Sequence, residues 1–147
     1  MKQKLKLFEV LNLITEIGGY TNPNTGEVVL EGLLNQNISY STKYKIKSSI
    51  KQIESEKSII DEMQQDLIKK YGTEKDGSIG IDRVIIDKDG NQQLNPNFVN
   101  FQEDWNKFLT ENEKDIEFPE ISLEDMKDVK TKDNYIILDK YFIIDNE

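Results

Sequence analysis

The stretch closest to a metal-binding motif is DKDGNQQLNPNF, which begins at Asp87. Asp87, Asp89 and Asn91 stand at its first, third and fifth positions, where the loop of an EF-hand places oxygen ligands for Ca²⁺. Two defining positions differ, because Gln92 replaces the glycine of the sharp turn and Phe98 replaces the bidentate glutamate. We therefore interpret the stretch as an Asp-Gly turn between two strands and predict no metal site.

The chain contains no cysteine and no histidine. That composition excludes disulfides, thiol nucleophiles, Ser-His triads and the usual zinc sites. The remaining acid-base candidates are carboxylates such as Glu62 and Asp66, which stand one helical turn apart on a charged face. Hydrolases that use carboxylates alone hold them in a polar cleft, which this pattern does not predict. We expect no catalytic residue and no cofactor.

A basic and aromatic cluster is the best candidate for a binding site. Four lysines and two tyrosines fall within twelve residues that contain no carboxylate. We call the cluster the Lys–Tyr patch; its members are Tyr40, Lys43, Tyr44, Lys45, Lys47 and Lys51. In an otherwise acidic chain such a patch suits an anionic ligand or an acidic partner. A solvated helix end is the alternative interpretation.

The overall charge limits the partners further. The chain has 28 acidic and 19 basic residues and a net charge of −9, whereas phosphate backbones and anionic membranes attract proteins with surplus lysine and arginine. Arg83 is the single arginine, so bidentate guanidinium contacts with phosphate are nearly absent. We therefore predict neither double-stranded nucleic acid nor a membrane as a partner.

The first residues do not predict a secretory signal peptide. Glu9, Asn12, Thr15 and Glu16 interrupt the apolar run, and no small-residue cleavage site follows. No stretch approaches the roughly 18 consecutive apolar residues that a membrane-spanning helix needs. We expect a soluble protein that is not secreted through a signal peptide.

One long helix, predicted for residues 41–71, carries most of these candidates. The segment lacks glycine and proline, Ser41 or Thr42 can cap its start, and Gly72 suits a left-handed stop. Its apolar positions form an interaction seam of Ile46, Ile50, Ile53, Ile60, Met63 and Leu67. Such a helix would be about 45 Å long, so we expect part of it to protrude or to pair with another helix.

Shorter elements complete the predicted fold. Residues 4–17 predict an amphipathic helix, residues 20–36 a loop or ribbon, and residues 87–91 the turn of a β-hairpin. A short strand is predicted at 116–118. The last apolar run, 133–144, suits either a helix or a strand.

We predict an α+β fold in one cooperative domain. Residues 1–72 would form a long antiparallel helical hairpin with a loop insertion, and residues 73–147 a small unit of β-hairpin and helix packed on it. Asn95 and Pro96 are typical of the start of that helix. Its aromatic stripe, which we interpret as core rather than as a platform for nucleobases, comprises Phe98, Phe101, Trp105, Phe108 and Leu109.

Five segments, which together span most of the chain, occur in an order that is similar to that of a known group of proteins. They are the amphipathic helix ending near Ile17, then ISYSTKYKIKSSIKQIESE, DLIKKYG, NFVNFQEDWNKFL and FPEISLEDMKD. In this series the chain resembles the short uncharacterised proteins of tailed bacteriophages and prophages. The resemblance implies a viral setting. It transfers no catalytic residue, because that family has no established activity.

Together these observations predict a non-catalytic phage accessory protein that acts by protein–protein contact in assembling or decorating the virion or its tail. The partner would be a second copy of the chain or another phage protein, in the host cytoplasm or in the virion. The alternative is a phage anti-defence protein that sequesters an anionic nucleotide messenger at the Lys–Tyr patch. An enzyme that uses carboxylates alone is a third hypothesis.

Overall fold

The computed structural model describes residues 1–130 and 132–145. It confirms a mixed α+β fold with a long helix and small β-hairpins, since helices account for 50% and strands for 23%. The helices are α1 (Leu7–Gly18), α2 (Tyr40–Tyr71), α3 (Pro96–Glu111) and α4 (Ile136–Tyr141), with 3₁₀ turns at Leu33–Asn35 and Lys132–Asn134.

The strands of the described residues pair only two by two. They are β1 (Lys2–Lys6), β2 (Gly19–Thr21), β3 (Val28–Glu31), β4 (Thr73–Lys75), β5 (Ser78–Gly80), β6 (Val84–Ile86), β7 (Gln92–Leu94), β8 (Glu113–Glu117), β9 (Ile121–Ser122) and β10 (Ile143–Ile144). Four pairs are antiparallel, β1–β8, β2–β3, β4–β5 and β6–β7, and the pair β9–β10 is parallel. The secondary structure therefore consists of helices joined by small ribbons.

The chain divides into two compact units. The first unit comprises Met1–Lys57 and Glu113–Glu147, and the second comprises Ser58–Asn112. Helix α2 begins in the first unit and ends in the second. The division into residues 1–72 and 73–147 stays a prediction, and the compact units lie at other boundaries.

The apolar pattern predicted that the first helix begins at residue 4. Residues 4–6 belong instead to strand β1. The segment KQKLK alternates, with Leu5 buried and the lysines exposed. Its register on β8 places each lysine opposite a carboxylate, in the pairs Lys2–Glu117, Lys4–Asp115 and Lys6–Glu113. Opposite charges on facing strand positions stabilise this register, and helix α1 follows it.

The antiparallel hairpin of the first helix with the long helix is not confirmed. Within the first unit, α1 makes its main helical contacts with α4 and with the 3₁₀ turn at Leu33–Asn35. The predicted ribbon is present as β2–β3, and Gly32 lies so close to the end of α1 that a Cβ there would be 2.4 Å from the carbonyl carbon of Gly18. A side chain at that position would separate ribbon and helix.

Both ends of α2 differ in detail from the prediction. The cap is Ser39, whose Oγ accepts a hydrogen bond from the amide of Thr42 at 3.2 Å. Gly72 is not in the left-handed conformation expected of it. It is needed for space, because a Cβ there would be 2.5 Å from the carbonyl oxygen of Ile68 and 2.7 Å from that of Gly80. The hairpin that follows α2 therefore lies directly against the last turn.

The second unit contains the predicted β-hairpin, β6–β7, and the predicted aromatic helix, α3. Asn95 caps α3 by accepting a hydrogen bond from the amide of Asn97 at 3.1 Å. A further hairpin, β4–β5, was not predicted, although its Asp76-Gly77 turn has φ values of 51° and 82° and is typical of a tight hairpin turn. The undecided run 133–144 contains both alternatives, since α4 is followed by strand β10.

Candidate protein-interaction surfaces

The interaction seam of α2 is divided by burial. Ile46, Ile53 and Ile60 are buried inside the chain. Ile50 and Leu67 are half-buried, and Met63 is 40% exposed. The part of the seam that a partner could touch therefore lies mainly in the second unit.

A groove between α2 and α3 contains that part of the seam. Tyr71 at the end of α2 donates a hydrogen bond to the Asp104 carboxylate of α3, and the Lys70 ammonium lies 3.9 Å from the same carboxylate. The cavity beside this contact measures about 280 Å³, and its lining consists of Met63, Leu67, Asp104, Lys107, Phe108 and Glu111. Apolar side chains between charged ones are typical of a helix-binding groove. We call this the α2–α3 groove.

The aromatic stripe of α3 contributes to the groove rather than forming a closed core. Leu109 is buried, whereas Trp105 and Phe108 are half-buried. The rings of Trp105 and Phe108 stack with centroids 5.6 Å apart, which holds one side of the groove in place. The stripe is therefore only partly core, because the second unit leaves the rings of Trp105 and Phe108 half-buried.

The Lys–Tyr patch lies on the solvent side of α2. Tyr40 and Tyr44 are 89% and 73% exposed, and the Lys43 ammonium lies 5.7 Å from the centre of the Tyr40 ring. Spacings of three and four residues align these side chains with Lys47 and Lys51 on one face, away from the buried Ile46. Lys45 departs from that face and lines two cavities of the first unit, one beside Asp125 and one beside Met1. The patch is thus an open, basic stripe.

Two buried glutamates of α1 hold α4 at both ends, an arrangement that was not predicted from the sequence. The Glu16 carboxylate accepts hydrogen bonds of 3.0–3.1 Å from the amides of Ile137 and Leu138, at the start of α4. The Glu9 carboxylate accepts from the Tyr141 hydroxyl at 2.8 Å and lies 3.2 Å from the Lys140 ammonium. The available signal was the pair of carboxylates seven residues apart on an apolar face.

The pKa values of the two carboxylates are shifted in opposite directions. Burial raises the pKa of Glu16, and its two amide hydrogen bonds oppose this only in part. Burial also raises the pKa of Glu9, but hydrogen bonds from the Lys6 amide, Tyr141 and Lys140 outweigh it, so that this pKa is lowered. Every polar atom of this kind is satisfied, since no buried side-chain nitrogen or oxygen of the described residues lacks a hydrogen-bond partner. We therefore conclude that the carboxylates of Glu9 and Glu16 hold α4 in place.

The calcium-like loop forms the turn of the β6–β7 hairpin. One Asp87 carboxylate oxygen accepts hydrogen bonds from the amides of Asp89 and Asn91, at 2.9 and 2.8 Å, and the other accepts from the Gln93 side chain at 2.8 Å. Within residues 1–130 and 132–145, no cluster of three or more acidic side chains has the geometry to hold a metal ion. The oxygens of Asp87 thus serve the turn itself.

No helix among the described residues combines the length and apolar character needed to cross a membrane. A scan against protein-family models finds no match to this chain, and neither do searches of curated proteins and of solved structures. Any functional conclusion therefore depends on the geometry of the surfaces described above.

Proposed function

We propose that this chain is a non-catalytic accessory protein of a tailed phage that acts by protein–protein contact, in assembling or decorating the virion or its tail. The main support for the proposal is that the second unit buries few of its apolar side chains and exposes many of them. Of its 55 residues only Ile60 and Leu109 are buried apolar side chains. Seven large apolar side chains are exposed there: Ile59, Met63, Ile79, Val84, Ile85, Ile86 and Leu94. A surface of this kind is typical of proteins that bind another protein.

The α2–α3 groove is the proposed docking surface for that partner. Met63, Leu67 and Phe108 supply apolar area, and the charges of Asp104, Lys107 and Glu111 surround it. An amphipathic helix binds such a groove through apolar side chains three and four residues apart. The partner is another phage protein or a second copy, and the protein acts in the host cytoplasm or in the virion.

The experiment compares two exposed apolar positions during infection. A photo-crosslinking amino acid replaces Met63 in one variant and Leu123, which is similarly exposed at 48% but lies in the first unit, in the other. We expect crosslinks from position 63 to a phage structural protein or to a second copy, and we expect Met63→Glu, unlike Leu123→Glu, to reduce the yield of infectious particles. Equal crosslinking from both positions, or full infectivity of Met63→Glu, would contradict the proposal.

The Lys–Tyr patch supports a second candidate function, the sequestering of an anionic nucleotide messenger. Lysines on the same helix face as two exposed tyrosines can bind phosphates and stack a base. A thermal-shift screen with cyclic dinucleotides and ADP-ribose tests it, because a ligand bound only by the folded state raises the melting temperature. The expected shift disappears in Lys47→Glu with Lys51→Glu. No shift with any of these ligands would remove this candidate.

A further inference from the structure

Strand β6 has one edge that pairs with no other strand of the described residues. It pairs only with β7, and the amide of Asn95 donates to the carbonyl of Arg83 while the amide of Asp87 donates to the carbonyl of Asn91. Backbone groups alternate in direction along a strand, so those of Val84 and Ile86 point away from β7. Two N–H and two C=O groups are therefore available for another strand.

The same strand carries exposed apolar side chains. Ile85 is 40% exposed and Ile86 is 72% exposed, although both are β-branched residues suited to a buried strand. An isolated two-stranded hairpin is only marginally stable in water, and additional strands stabilise it. The β6 edge thus combines free hydrogen-bonding groups with apolar surface.

We infer that two copies of the chain associate by pairing β6 with β6, antiparallel and centred on Ile85. The segment DRVIIDK, residues 82–88, is complementary to itself in this register. Within strand β6, which covers Val84–Ile86, Val84 lies opposite Ile86 of the second copy. The flanking residues continue the register, with Arg83 opposite Asp87 and Asp82 opposite Lys88, the first residue of the turn. The two-fold symmetry forms each charge pair twice and generates a continuous sheet in the order β7–β6–β6–β7.

The direction of the backbone groups agrees with this register. Val84 of one copy and Ile86 of the other form a hydrogen-bonded pair with two backbone hydrogen bonds. Ile86 of the first copy and Val84 of the second form the same pair, which gives four inter-strand hydrogen bonds. Ile85 faces its own counterpart in a non-hydrogen-bonded pair. A shift by two residues in either direction keeps the backbone bonds but places Asp82 or Lys88 opposite an apolar residue. Charge therefore selects the register centred on Ile85.

A similar arrangement of facing charges occurs once within the chain, where three lysines of β1 lie opposite three carboxylates of β8 in the register. Asp82, Arg83 and Lys88 are exposed, whereas the Asp87 carboxylate is half-buried and already accepts hydrogen bonds within the turn, so that Arg83 of the second copy would share it. Arg83 is exposed, and its guanidinium has no hydrogen bond or ion pair to another described side chain. Asp82 lies in an exposed bridge with Lys75 at 2.6 Å, a contact that contributes little to stability and can be shared with Lys88. The association is independent of the α2–α3 groove, so either proposal can fail alone.

A single introduced cysteine tests the pairing, because the natural chain has none. In a non-hydrogen-bonded antiparallel pair the two Cα atoms are about 4.5 Å apart, within the range of a disulfide. We expect Ile85→Cys to form a disulfide-linked dimer under mild oxidation. Ile79→Cys, at a position of similar exposure (42% against 40%), is the matched control and stays largely monomeric. Equal crosslinking of the two variants would overturn the inference.

The register is tested by exchanging charges, with the dissociation constant of the dimer measured by sedimentation velocity. Lys88→Asp places two carboxylates opposite each other at both ends of the pair, and we expect it to weaken the dimer about tenfold. Combining it with Asp82→Lys restores the opposite charges and the wild-type constant within about threefold. A wild-type chain that stays monomeric at high micromolar concentration overturns the inference, as does a double variant no tighter than Lys88→Asp.

Discussion

The two compact units differ in how they use apolar residues. The first unit contains eighteen of the twenty buried apolar side chains of the described residues, including Phe118 and Phe142, whose rings lie 4.9 Å apart. The second unit contains two, and it exposes seven large apolar side chains among its 55 residues, whereas the larger first unit of 92 residues exposes eight. A core that is filled stabilises a fold, whereas apolar side chains left on the surface stabilise it only when something covers them. The first unit thus has a filled core of its own, whereas the second has little buried apolar area.

The largest expected effect comes from emptying the core of the first unit. Phe118→Ala removes a fully buried ring and leaves a cavity, which costs about 3–5 kcal/mol of the free energy of unfolding. Leu94→Ala in the second unit, where the side chain is 53% exposed, costs less than about 1 kcal/mol. Urea denaturation followed by circular dichroism measures both. Similar losses would contradict the difference between the units.

A smaller effect tests how α4 is attached to the first unit. Glu16→Ala removes the acceptor for the amides of Ile137 and Leu138, which leaves two buried donors without a partner and costs about 1–3 kcal/mol. Glu27→Ala, at an exposed glutamate of the same unit, is the control and leaves the unfolding midpoint unchanged. Unfolding midpoints in urea provide the comparison. A loss no greater than that of the control would show that α4 is held without Glu16.

A third prediction concerns the edge of β8, which a side chain of the first unit occupies, in contrast to the open edge of β6. Gln52 on α2 donates to the carbonyl of Asp115 and accepts from the amide of Glu117, both at 3.2 Å, so its side chain occupies this edge. Gln52→Ala should cost about 0.5–1.5 kcal/mol, whereas Gln65→Ala, at an exposed position of the same helix, is neutral. Hydrogen exchange of the Glu117 amide should also accelerate in the first variant. Unchanged exchange would mean that the edge is protected in another way.

The smallest effects are changes in how stability depends on pH. The folded state lowers the pKa of Glu9 below its ordinary value of 4.5, so its contribution is present above that value and is lost as the pH falls through the folded pKa. The folded state raises the pKa of Glu16, so stability decreases as the pH rises from 4.5 through the folded pKa. Glu9→Gln should flatten the acid side of the stability profile.

Glu16→Gln should instead flatten the decline above the ordinary carboxyl value, because the amide cannot ionise. Urea midpoints between about pH 3 and about pH 8 measure both profiles. Identical profiles for the two variants would contradict the opposite shifts in pKa.

Much of the second unit could be predicted from local sequence. Asn95 and Pro96 predicted the start of α3, and the Asp89-Gly90 turn predicted the β6–β7 hairpin. These signals are local because caps and tight turns bond backbone groups only a few residues away. Met63 and Leu67 were predicted as seam residues from helical periodicity, together with Ile46, Ile53 and Ile60, which are buried. The division of the seam by burial could not be predicted, because periodicity gives the face of a helix and not what covers it.

The first unit depended more on contacts between distant residues, and there the prediction missed strand β1 and the hydrogen bonds that hold α4. Residues 4–6 join strand β8, more than one hundred residues away, where Leu5 is buried and Lys4 and Lys6 lie at register positions opposite Asp115 and Glu113. Glu9 and Glu16 looked like interruptions of an apolar face until α4 supplied their hydrogen-bond donors. No local pattern encodes such partners, since the cost of burying a carboxylate is offset only by groups that folding brings to it.

The sequence by itself determined the long helix, the hairpin turn, the aromatic helix and the exclusion of histidine and cysteine chemistry, because these follow from residue types and from neighbours along the chain. Only the tertiary structure decided which apolar residues form a core and which remain exposed. That outcome depends on how elements distant in sequence cover one another, which is why the open edge of β6 and the α2–α3 groove became visible only in the folded chain.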